Sequence, residues 1–301
     1  MNRKTLLCKQ VVKYVVFLIG LFLTPWSQTL GAERVEMPGS DIQRAETIPP
    51  RPKDGISGSE FARRTAGMSG ADRQQAALAE LRRGNIPQFL RNLKPVTLSY
   101  APSGQDALTA VIWVMPDYLA IGSNEDFLRM PLTYSSATAI ANDWGFILPT
   151  RKIADAIYKQ STCHLKPEPL PPGSNMRSSE YYLKHRKMIR AERQRAGCPL
   201  GELTSGHKKD VVLTNLLLKK PGRLAIYGWH RRSGKPIQPL STVHEAEYAD
   251  YSHGVRLVSQ TVWIDKKPRC IFDVLQDPVL APLLTYEGEI LKPRRLMDQK
   301  R

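Results

Sequence analysis

Apolar positions take helical spacing first at Asp72 to Leu81, where Ala76, Leu78 and Leu81 can share one face, and the pattern stops at Gly84-Asn85. Asn85 to Arg91 reads as the start of a short second helix, with Pro87 near its first turn. Two apolar runs, Ala110 to Met115 and Tyr118 to Ile121, then suggest strands joined at Pro116-Asp117. Helical spacing returns at Ser135 to Trp144 and at Thr150 to Gln160, the latter capped by Thr150 and turning Ile153, Ala156 and Ile157 inward. Pro167 to Pro172 reads as extended chain, and Ser178 to Ala196 as a long basic helix. Three further strands are expected at Val211 to Leu217, Arg223 to Arg231 and Val255 to Ile264. Helices come early and strands cluster late, which predicts an α+β fold: a largely antiparallel sheet packed with several helices.

Upstream of this pattern, Glu33 to Ser69 is rich in Pro, Gly, Ser and charge, with Ile48-Pro-Pro-Arg-Pro-Lys-Asp-Gly at its middle. It reads as a disordered tether over 33–70, leaving 71–301 as one compact domain. Residues 1–32 hold Arg3, Lys4, Lys9 and Lys13, then an uncharged apolar run from Tyr14 to Thr24, then Thr29-Leu-Gly-Ala32. That order matches a signal peptide, the alternative being a retained membrane anchor. Its apolar run is short of the roughly 20 residues a spanning helix needs, so cleavage and export to the periplasm or beyond are expected. No later segment is long and apolar enough to span a membrane, so the mature chain is expected to have no transmembrane segment.

Export would leave Cys163, Cys198 and Cys270. In an oxidising compartment Cys163 and Cys198 can pair; Cys270 is either a nucleophile or a buried, incidental thiol. The 301 residues carry a formal net charge of +16. The charge is concentrated, with 19 Lys and Arg against 6 Asp and Glu in residues 150–235. Such a field favours anionic partners. Outside the cell these would be an envelope polymer, a glycan or a lipid surface rather than nucleic acid; the alternative is a solvated face serving only solubility.

Four of the six histidines fall between Ser205 and Arg256. His207 follows Gly206 and leads Lys208-Lys209-Asp210, two cations suited to a carboxylate or phosphate beside an internal acid. In the strand around Ile226, alternation places His230 with Leu224, Ile226 and Gly228, and sets Tyr227 and Trp229 on the other face. His230 is then a core residue or the floor of a pocket beside the gap at Gly228. His244, Glu247, Asp250 and His253 recur every three residues, which invites a divalent metal such as zinc. The spacing is not His-Glu-x-x-His, and Tyr248 and Tyr251 fit a sugar- or peptide-binding rim as well.

Tyr251-Ser252-His253-Gly254-Val255-Arg256 resembles the Ser-His-Gly-Cys-x-Arg signature of L,D-transpeptidases, exported enzymes that cross-link peptidoglycan through a cysteine thioester. Val255 stands where that cysteine would be, and Arg256 comes one residue early, so the thioester chemistry is not implied. More broadly, Leu119 to Asp277, with Leu148-Pro-Thr-Arg-Lys, Gly206-His-Lys-Lys-Asp-Val-Val and Ile226-Tyr-Gly-Trp-His, is similar to a group of uncharacterised secreted bacterial proteins. That resemblance implies export and a single fold, and no activity.

Two functions follow as expectations. In a hydrolase of an envelope or extracellular polymer, His207, His230, His244 and His253 supply acid or base. Asp210 or Asp250 would orient one of them, Ser252 is a possible nucleophile, and Lys208, Arg256, Tyr227, Trp229 and Tyr251 would hold substrate. In a non-catalytic module for an anionic glycan or envelope surface, the basic segment and the aromatic residues suffice. In a third reading the histidines are satisfied core groups of a structural protein.

Overall fold

The computed structural model describes residues 45–298 apart from 46, 103 and 105. The expected signal segment and the first part of the expected tether lie outside these residues. In chain order the helices are α1 (Gly58–Arg64), α2 (Gly70–Arg82), α3 (Tyr134–Trp144), α4 (Arg151–Gln160), α5 (Ser179–Arg195), α6 (Leu216–Lys219), α7 (Ile271–Gln276), α8 (Ala281–Leu284) and α9 (Pro293–Met297). The strands are β1 (Lys94–Tyr100), β2 (Leu108–Val114), β3 (Ala120–Gly122), β4 (Phe127–Arg129), β5 (Phe146–Ile147), β6 (Cys163–His164), β7 (Thr204–Ser205), β8 (Lys209–Val211), β9 (Ile226–His230), β10 (Pro236–Ser241), β11 (His253–Gly254), β12 (Val258–Ile264) and β13 (Lys267–Cys270).

The fold is α+β with mostly antiparallel sheets. One sheet runs β1-β2-β12-β13, with β5 also on β12. The second runs β10-β9-β8-β11, antiparallel until its last pair, where β11 lies parallel to β8 with His253 opposite Lys209 and Gly254 opposite Asp210. β3–β4 and β6–β7 form two-stranded ribbons. Apolar faces of both sheets and of α2 to α4 share one core. A smaller cluster of Cys163, Leu165 and Ile189 lies where a disulfide joins Cys163 to Cys198 beyond the end of α5. Cys270 carries a free, half-buried thiol at the end of β13, just ahead of α7.

Local chemistry explains the helices that were legible. Ser69, Thr133, Thr150 and Ser178 each accept a backbone N–H in the first turn of α2, α3, α4 and α5. Gly145 ends α3 in the left-handed conformation, φ 75°. In α2, Ala77 rather than Ala76 joins Leu78 and Leu81 in the core. Asn85 to Arg91 yields only a single 3-10 turn, Gln88–Arg91, after Pro87.

Several expectations are corrected. Residues 47–70 are not a disordered tether: Ile48 is buried, and α1 is capped by Ser57 and buries Phe61 and Ala62. The contacts that hold this segment are distant in sequence. Arg51 donates to the Asn85 side chain and the Gly122 carbonyl, and the Ser59 N–H donates to Asp126. The runs at Ala110 and Tyr118 do not form a hairpin. β2 pairs with β1, which was not foreseen, and β3 pairs with β4. The strand expected over Val211 to Leu217 ends at Val211, because Thr214 and Asn215 turn the chain into α6.

Candidate functional site

The edge where β11 joins β8 assembles one group of polar side chains. Asp250, 1% exposed, accepts from Ser252 Oγ at 2.6 Å, from the Ser252 N–H at 2.8 Å and from Tyr248 OH at 3.0 Å. His253 Nε2 lies 3.8 Å from the second Asp250 oxygen, and neither ring nitrogen has a hydrogen-bond partner among the described residues. Burial of the His253 ring lowers it to about 4 against the upward pull of Asp250, so it is neutral near pH 7. Burial opposes ionisation of Asp250, but nearby His253 and the two Ser252 donors outweigh it and lower its carboxyl. Above this pair lie half-buried His244 and Tyr248, stacked at 4.3 Å, with ring centroids 5.8 and 5.7 Å from His253. Arg177 stands over Tyr248 at 5.4 Å, and Lys209 Nζ over Trp229 at 4.9 Å.

On the other side of β8, Asp210 accepts from Tyr118 OH at 3.0 Å and lies 4.0 Å from Arg256. Burial raises its carboxyl to about 6, against the Arg256 charge and the Tyr118 donor. A Cβ on Gly228 would come within 3.2 Å of His230 and 3.4 Å of Asp210, and a Cβ on Gly254 within 2.5 Å of the Tyr118 ring. The approach at Gly254 leaves no room for a Cβ, whereas Gly228 is favoured by its positive φ of 106° more than by space. His230 and Tyr227 both meet Asp155, at 3.3 and 2.6 Å. Strict alternation would separate these two rings, but positive φ at Gly228 (106°) and Trp229 (54°) twists the strand end and brings them to one face. The expected partition of this strand is corrected accordingly.

The third group is wholly internal. Asp117, 1% exposed, binds Arg129 through both oxygens at 2.9 and 2.6 Å and Arg193 at 2.7 Å, with His207 Nε2 3.3 Å away. Burial would raise this carboxyl, yet the Arg129 charge holds it well below the usual range. His207, fully buried and edge-on to Tyr118, is lowered by burial to about 3.

The four histidines therefore do not share one cleft. His244 and His253 meet, with Asp250 and Ser252; His230 joins Asp210 on the opposite face; His207 belongs to the Asp117 network. All five residues expected to hold substrate are buried, Tyr227 and Trp229 at 3% and 7% exposure, and the other three bind backbone deep in the core. Arg256 donates to the Met115 and Thr204 carbonyls at 2.8 and 2.6 Å and stacks on Tyr118. Lys208 donates to the Tyr251 carbonyl, and burial lowers its amine to about 7. Tyr251 OH meets the Leu170 backbone. Ser252 Oγ, bound to Asp250, has no histidine to activate it. The spacing that suggested metal also dissolves, since Glu247 turns away to accept from Ser135. Among the described residues no group of three or more His, Cys, Asp or Glu is arranged to hold an ion.

The sequence reading missed Asp117, Arg129, Arg193 and His185. The last is a buried ring 5.2 Å from Tyr251 that burial lowers well below its usual value. A lone Asp between Pro116 and Tyr118, a single Arg at the end of the short strand β4 and single basic residues on a basic helix carry no local mark of burial. The chain matches no family model, no curated protein and no solved structure.

Proposed function

We propose that this protein is an exported hydrolase of a cell-envelope or extracellular polymer, with His253 as general base. The observation that carries the reading is an imidazole that is neutral near pH 7, unpartnered on both nitrogens among the described residues and 3.8 Å from a carboxylate. A neutral ring can take a proton from water, and Asp250 would stabilise the imidazolium that forms. His244 and Tyr248, which cover the ring, must part to admit substrate. Lys209 and Arg177 then face an anionic group, with half-buried Tyr248 as the apolar surface. Val255 is fully buried where the transpeptidase-like motif would place its thiol, so water rather than a side chain is the nucleophile in this reading.

Peptidoglycan, acidic polysaccharide and ester panels should reveal turnover that falls by about 100-fold or more in His253→Gln and Asp250→Asn. The acid limb of kcat/KM should lie near pH 4 instead of near 6.5. Absence of turnover on all panels, or full activity in His253→Gln, overturns the proposal. A second reading, a non-catalytic module for an anionic glycan, is favoured by the exposed cations of α5, including Lys184, Lys187 and Arg190. Its mark is glycan binding that weakens steeply with salt and is untouched by His253→Gln.

A further inference from the structure

A cavity of about 370 Å³ opens between α5 and β4, lined on one side by Gly197–Leu200, the segment that carries the disulfide-bonded Cys198. Its walls combine the guanidiniums of Arg129, Arg186, Arg190 and Arg193 with the apolar surfaces of Phe127 and Leu200. We propose that this cavity is a binding site for a small amphiphilic anion, a single carboxylate, sulfonate or phosphate head on an apolar body.

Three observations support it independently of the His253 site. The first is a local excess of positive charge. Asp117 is one carboxylate shared between Arg129 and Arg193, and Asp126 is matched to Arg186 at 2.7 Å. Arg190 has no partner among the described residues, and Glu125 is the one carboxylate lining the cavity beside it, so four cations meet three anions. The second is unused donor capacity. Arg193 has a side chain 9% exposed and donates to Asp117, Thr204 and the Pro199 carbonyl, yet its Nε has no partner among the described residues. Arg129 spends Nε and Nη2 on Asp117, leaving Nη1 unused among the described residues. A buried guanidinium with spare donors gains from an acceptor supplied by a ligand, since hydrogen bonds to ionised groups are the stronger kind. The third is the apolar wall. Arg129 lies over the Phe127 ring at 5.1 Å, and Leu200 stays 40% exposed at the mouth, giving an apolar body a surface beside the cationic one. A volume of this size suits a small organic ligand.

The test is titration calorimetry of the folded protein with 8-anilinonaphthalene-1-sulfonate, and with N-phenyl-1-naphthylamine, the same apolar body without the sulfonate. One saturable site is expected for the sulfonate, with binding at least tenfold weaker for the neutral analogue. Arg190→Glu should weaken the sulfonate at least tenfold. Arg195→Glu, the same charge change on the same helix but outside this cavity, should leave it within twofold. Thermal melts of both variants establish that they are folded. No saturable binding, equal binding of the neutral analogue, or equal losses in the two variants would each overturn the assignment.

Discussion

Lowering the pH from 7 to 5 should destabilise this fold through its buried imidazoles. His207 and His253 are 0% and 1% exposed, and burial holds them at about 3 and about 4. In an unfolded chain histidine titrates near ~6.5. Between those values the unfolded state binds protons that the folded state refuses, so stability is full above the unfolded value and falls as the pH drops below it. Integrated from pH 7 to 5, each ring removes roughly 2 kcal/mol. His185, also lowered by burial, acts in the same direction. Asp210 opposes them. Its carboxyl is raised to about 6, so the folded state gains a proton first and recovers roughly 1 kcal/mol over the same interval. The net loss is roughly 2 to 3 kcal/mol before His185 is counted, or a fall in Tm of some ~4–12 °C for a chain of this size. Urea unfolding at pH 7, 6 and 5 measures it directly. His207→Gln and His253→Gln should each remove roughly 2 kcal/mol of the pH dependence, whatever they cost at pH 7. A wild-type stability flat across this range, with the variants also flat, would mean that water reaches both rings and would refute the reasoning.

Asp117→Asn leaves Arg129 and Arg193 buried without their counter-charge and should cost about 3–5 kcal/mol at pH 7 in urea unfolding. Because the folded carboxyl is held well below its ordinary value, its contribution is present above the unfolded pKa and lost as pH falls through the folded one; the gap between variant and wild type should narrow in acid. Opening the Cys163–Cys198 bridge by Cys163→Ser frees a loop spanning 35 residues and should lower stability by about 4 kcal/mol, read as an earlier urea midpoint.

How much of this protein was legible follows from how far each signal reaches along the chain. The helices α2, α3, α4 and α5 announced themselves because a cap residue and an apolar stripe lie within a few positions of each other, and local sequence sets both. The α+β class followed from the order of those stripes and the later apolar runs. The sequence also marked His253 and Asp250 as chemically interesting, through residue type and crowding alone. Only the tertiary structure decided which of the candidates can act. Arg256, Lys208 and Tyr251 looked like substrate contacts because charge and aromaticity suggest a surface, yet each is absorbed by backbone carbonyls or amides far away in sequence, such as Met115, Thr204 and Leu170. The partner of His207 is Asp117, 90 positions earlier, and no periodicity encodes such a pairing. The shared face of Tyr227 and His230 depends on positive φ at Gly228 and Trp229, which a two-residue period cannot foresee. Residues 47–70, composed like a tether, are ordered because Arg51, Ser57 and Ser59 find their partners on the packed domain or cap α1, so composition set a tendency that packing overrode.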